Sequence, residues 1–97
     1  MRIPNVAHIG PAAYNVLWDP DIASEDGVVG LLNRRKRTIS LDEGSCLSLQ
    51  EQTFIHECIE AMNYEFNIDL DHHQICLLES CFFSFLRDNY GKELEIV

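Results

Sequence analysis

The residues Gln52-Thr53-Phe54-Ile55-His56-Glu57-Cys58-Ile59-Glu60-Ala61-Met62-Asn63 lie near the middle of the chain and read as one helix. Ile55, Ile59, Met62 and Phe66 recur at intervals of three and four and form a single apolar stripe. At roughly 100° per residue, His56 and Glu60 fall one turn apart on a face bordering that stripe, with Gln52 and Asn63 close by. Two ligand-type side chains at i and i+4 can grip one divalent ion. Glu57, between them, is turned aside to where it would meet a water rather than the ion. The bland alternative is a solvated face, since His and Glu are common on exposed helix surfaces and an H-E dipeptide alone is uninformative.

The next segment raises the interest of the first. After the short connection Asn67-Ile68-Asp69-Leu70, Asp71 reads as the N-cap of a last helix running from His72 to about Asn89. Ile75, Leu78, Phe82, Phe85 and Leu86 give it a core stripe. His72, Cys76, Glu79 and Phe83 follow at i, i+4, i+7 and i+11, on a narrow stripe beside that core. A carboxylate at Glu79, among Leu77, Leu78, Cys81 and Phe82, is costly to bury unpaired, by roughly several kcal/mol. A metal or a buried cation would remove that cost. The short connection makes the two helices antiparallel neighbours, so that His56 and Glu60 can face His72 and Glu79. A His–Glu network without metal is the competing reading. Gly91 ends the helix, and Lys92 to Val97 read as a frayed or docking tail.

Upstream, the pattern is β-like. Val6-Ala7-His8-Ile9 leads into the turn signal Gly10-Pro11, and Tyr14-Asn15-Val16-Leu17-Trp18 then alternates, which predicts a hairpin with His8 at the surface. Asp19 to Gly27 is acidic and turn-rich, without the ordered ligand spacing of a calcium loop, and reads as a solvated connection. Val28 to Leu32 and Thr38 to Leu41 read as two strands around the basic turn Asn33-Arg34-Arg35-Lys36-Arg37. The alternation from Thr38 to Leu41 fits a strand with one buried face, placed as an edge above a cleft. Ser48, with Glu51 three residues on, is the expected capping box of the central helix.

Composition sets the bounds. At 97 residues and 46% hydrophobic, the chain can build one modest core, so a single domain over 1–97 is expected. No apolar run is long enough to span a bilayer, and the N-terminus lacks the apolar core of a signal peptide, which places the expected location in the cytoplasm. Cys46, Cys58, Cys76 and Cys81 form no C-x-x-C pair and fit a reducing compartment, mostly as small hydrophobes. A net charge of −9 argues against nucleic acid, because phosphate would be repelled.

The order of strands, then Thr53-Phe54-Ile55-His56-Glu57-Cys58-Ile59-Glu60-Ala61-Met62, then Leu70-Asp71-His72-His73-Gln74-Ile75-Cys76-Leu77-Leu78-Glu79, resembles the small zincin-like metallopeptidases encoded by phages and prophages. More distantly the chain is similar to minigluzincins and ImmA/IrrE-type peptidases. The resemblance is specific from about Gln52 to Asn89. It implies an H-E-x-x-E variant of the H-E-x-x-H helix, with His56 and Glu60 as zinc ligands, Glu57 as general base and Glu79 as the glutamate ligand of the following helix. His72 belongs to the phage-type pattern, as a ligand or as a donor to the reacting carbonyl. A carboxylate at Glu60 lowers the effective charge of the ion and makes its water a weaker acid.

The expected architecture is therefore α+β and zincin-like, a small antiparallel sheet of three to four strands packed on two antiparallel helices. The expected function is zinc-dependent hydrolysis of a protein or peptide substrate in the cytoplasm of a bacterial or phage-infected cell, without nucleic acid or membrane. The alternative is a non-catalytic interaction or inhibitor protein that binds a host protein on the same scaffold.

Overall fold

A computed structural model describes residues 1–91. The reading of Lys92 to Val97 as a tail lies outside the described residues. The elements in order are β1 (Val6–Ile9), β2 (Ala12–Asp19), α1 (Ile22–Asp26), β3 (Gly30–Asn33), β4 (Thr38–Asp42), α2 (Leu47–Phe66) and α3 (His72–Asn89). The protein is α+β, with a four-stranded mixed sheet and three helices.

The first hairpin forms as its turn residues require. Ile9 pairs with Ala12, and Gly10 takes φ 58° at the first turn position, a conformation that costs glycine little. A side chain there would also strike the Phe66 ring, whose Cζ lies 2.8 Å from where a Cβ would sit. Along β2, Ala12, Tyr14 and Val16 point into the core while Ala13, Asn15 and Leu17 face out.

The sheet order is β1-β2-β4-β3, and the expectation of a purely antiparallel sheet fails at its centre. β2 and β4 run parallel, Val16 opposite Ile39 and Trp18 opposite Leu41. The chain leaves β2, crosses through α1, lays β3 at the far edge and returns as β4 between them. β4 is thus an interior strand rather than the edge, and Ile39 and Leu41 are fully buried. The edge is β3, where Gly30 replaces a side chain and Leu31 is exposed. The segment from Asp19 to Gly27 also differs from the expected loop. Its Ile22 is buried and anchors the one-turn helix α1, which ends at Gly27 in the left-handed region.

α2 buries two faces. Phe54 and Ala61, with Cys58, pack on Tyr14, Val16, Ile39 and Leu41 of the sheet. Ile55 and Ile59 pack on Ile75 of α3, flanked by Leu70, Leu78, Phe83 and Leu86. Met62 and Phe66, expected on the core stripe, are exposed, as are Phe82 and Phe85 of α3. The two helices run in opposite directions, since Gln52 early in α2 reaches Glu79, while Asn63 near its end holds Leu70 just before α3. The α2 N-cap is Cys46, with no side-chain cap bond, so the Ser48–Glu51 box does not form. The Asp71 cap does form: its carboxylate accepts from Gln74 N–H, and Gln74 returns the bond. No described helix is long and apolar enough to cross a membrane.

Candidate functional site

The middle of α2 faces two neighbours at once, the edge strand β3 and the helix α3, and the polar residues gather where these three meet. His56 and Glu60 lie one turn apart, with His56 Nε2 3.8 Å from Glu60 Oε1. From α3, Glu79 brings Oε1 to 2.7 Å from His56 Nδ1, while its other oxygen accepts from Gln52 Nε2. His56 thus stands between two carboxylates, Glu79 at Nδ1 and Glu60 at Nε2. His72 stacks edge-on to His56, ring centroids 5.8 Å apart.

These contacts resolve into two groups that share His56. In the first, His56, Glu60 and His72 hold ligand atoms all within 4.8 Å of one another. In the second, His56, Glu79 and Cys76 do the same. The expectation placed His56, Glu60, His72 and Glu79 around a single ion. The structure brings all four to one place, but sets Glu79 on one ring nitrogen of His56 and Glu60 on the other. Cys76 was not read as a ligand from the sequence, although its spacing from His72 and Glu79 marked the shared stripe. Its Sγ lies 3.5 Å from His72 Nε2.

Glu57 is the least ordinary member. It is 5% exposed, and its Oε2 has no hydrogen-bond partner among the described residues. Burial first, and then the negative charge of Glu60, push its carboxyl up to about 7, while His56 opposes the shift. Its surroundings explain the burial. A Cβ on Gly30 would fall 2.3 Å from Thr53 Cγ2 and 3.4 Å from Glu57 Cγ, so β3 lies directly on this face of the helix. The sequence placed Glu57 beside the ligands but gave no sign of its being covered.

Beside the cluster is a cleft of about 430 Å³, lined by Gly27 to Gly30 on one wall and by Gln52, Thr53, His56, Glu57 and Glu79 on the other. A second cavity of about 560 Å³ opens on the Glu60 side, where Arg34 of the basic turn lies over the Tyr64 ring at 4.7 Å. That turn is exposed but not free, since Arg37 pairs with Glu65 at 3.5 Å. His8 is exposed on β1, away from these residues.

The first group fits zinc by donor chemistry. Two imidazoles and one carboxylate are a common three-residue set for a hydrolytic zinc site that keeps a fourth position open. Ligand atoms around a tetrahedral ion stand about 3.4 Å apart for bonds of about 2.1 Å, so the 3.8 Å between His56 and Glu60 needs little adjustment. Glu79 on Nδ1 is the outer carboxylate that such a histidine usually has. No protein-family model, curated protein or solved structure matches the chain.

Proposed function

We propose that the chain is a metal-dependent hydrolase acting on peptides, with zinc held by His56 Nε2, Glu60 and His72 and with Glu57 as general base. The observation that carries this reading is Glu57 Oε2, buried and unpartnered beside three converging ligand atoms. A side chain placed so at a cost of about 1–3 kcal/mol has a role that folding alone does not supply. Taking the second imidazole from α3 also answers the charge objection to Glu60, because the set then contains one carboxylate rather than two.

A bound divalent ion would supply Lewis acidity to a water and to the carbonyl under attack. The chain supplies the rest. Glu57, with a carboxyl titrating near neutrality, accepts the proton of the attacking water and can return it to the leaving amine. Glu79 accepts from Nδ1–H of His56 in the tautomer that turns the Nε2 lone pair to the ion and makes it a better donor. β3 is an edge strand, and its outer side can pair with an extended peptide lying along the cleft. Thr53 and Gln52 line that cleft from the helix side.

A second reading is favoured by a different observation. Leu77, Phe82 and Phe85 of α3 are each about half exposed, a larger apolar display than a helix of an isolated enzyme needs. That display fits a protein that binds another protein, with or without catalysis.

Elemental analysis of untagged protein, paired with an assay on an unfolded protein substrate, tests the proposal. About one zinc per chain, and hydrolysis lost in chelator and regained with zinc, support it. Fully zinc-loaded protein that leaves the substrate intact overturns the hydrolase and leaves the binding protein.

A further inference from the structure

The His56 ring has a second nitrogen, and the residues on that side are not idle. Nδ1 stands 2.7 Å from Glu79 Oε1, and Cys76 joins the pair with all three ligand atoms within 4.8 Å. All three residues are half-buried, whereas the other group includes the exposed His72. Nitrogen, oxygen and sulfur donors at this spacing make a three-coordinate set of their own.

We propose that His56, Cys76 and Glu79 form a second cation position, which takes thiophilic divalent ions such as zinc or cadmium and competes with the position at Glu60 and His72. A thiolate sulfur is a soft donor and prefers these ions to manganese or magnesium, which favour oxygen. On binding, the Cys76 S–H bond breaks, its proton leaves to water, and a sulfur–metal bond takes its place. His72 Nε2, 3.5 Å from Sγ, is placed to donate to the thiolate once it forms.

Competition follows from imidazole chemistry. A neutral ring has one lone-pair nitrogen, so ligation through Nδ1 places the proton on Nε2 and withdraws it from Glu60. The same ion also takes Glu79 away from its hydrogen bond to Nδ1–H. A thiophilic ion at Cys76 is therefore an inhibitor of the first position. This competition rests on the function proposed above; the thiolate position does not.

The test titrates cadmium into reduced, metal-free, full-length protein and follows sulfur-to-cadmium charge-transfer absorption. Cys76→Ser should remove the band and weaken cadmium binding at least ~10-fold, whereas the band should persist in Glu60→Gln. Cys58 should stay silent, because burial pushes its thiol up to about 12. In the wild type, cadmium should slow alkylation of Cys76 by iodoacetamide, mapped by mass spectrometry, but not that of the exposed Cys46 and Cys81. That arm needs no variant, so a folding defect cannot mask it. A band that survives Cys76→Ser, or Cys76 alkylated equally fast with and without cadmium, overturns the thiolate position. Manganese followed by electron paramagnetic resonance should be displaced from the wild type by cadmium, and in Cys76→Ser the displacement should need at least ~10-fold more cadmium. Displacement at the same cadmium concentration in both overturns the competition.

Discussion

Among the described residues two carboxylates are buried, and they are buried differently. Asp42, 8% exposed at the end of β4, accepts from Gly44 N–H at 3.1 Å and from Ser45 Oγ at 2.7 Å. It folds the turn that launches α2, and both of these side-chain bonds are local. Glu57, 5% exposed in the middle of α2, leaves one oxygen with nothing to accept from. The first removes the cost of its own burial through hydrogen bonds; the second keeps that cost in the folded state. A satisfied carboxylate stabilises structure, whereas an unsatisfied one beside converging ligand atoms is held ready for something that arrives later.

The largest expected effect separates the two by chemistry. Glu57→Gln should lower hydrolysis of an unfolded protein by about 10²-fold or more at unchanged zinc content. Asp42→Asn should leave hydrolysis per folded molecule as it was. Equal losses in both would show that the loss at Glu57 is structural. Next in size is Glu79→Gln, which removes a charge from the Nδ1 side of His56. Zinc affinity should fall about 10- to 100-fold, read by competition with a chromophoric chelator.

Stability should divide the pair in the opposite sense. Asp42→Ala should cost about 2 kcal/mol in urea unfolding, since it deletes charge-assisted bonds to a turn. Glu57→Gln in the metal-free protein should be neutral or stabilising, because a buried charge is removed and Oε2 has no partner to lose. A cost at Glu57 matching that at Asp42 would erase the distinction.

The smallest effect concerns a third polar burial, which belongs with Asp42. The Tyr14 hydroxyl donates to Glu65 Oε2, and burial first, then that bond, raise the phenol from 10.0 to about 12. A folded-state pKa above the unfolded value means that this contribution is fully present below pH 10 and is lost as pH rises toward 12. Urea midpoints of the wild type should fall across that window, and Tyr14→Phe should flatten the fall.

What the sequence made legible was local. The three- and four-residue spacing from Ile55 to Ile59 and from His72 to Glu79 marked both long helices, and Asp71 marked the start of the second. The spacing of His56 and Glu60 was a property of helix geometry and needed no tertiary knowledge. The parallel pairing of β2 with β4 was not legible, because it depends on β3 passing to the far edge, and no turn motif encodes that. Met62, Phe66, Phe82 and Phe85 obeyed the apolar pattern yet stayed exposed, since periodicity records a face but not whether a partner covers it. Cys76 was read as a small hydrophobe, as buried cysteines usually are. Its place between His72, His56 and Glu79 appears only when α3 is packed on α2.

The contact between Gly30 and α2 has a consequence for water. With a hydrogen atom in place of a methyl group at position 30, the strand comes close to Thr53 and Glu57 where these residues line the cleft. An alanine there would have to lift the strand from the helix, and hydration would follow into the gap. Glu57 would then lose part of the burial that raises its carboxyl, and its affinity for a proton would fall without any change to its own side chain, while the charge of Glu60 would still hold it up. The missing methyl group thus sets the local dielectric of the carboxylate beside it.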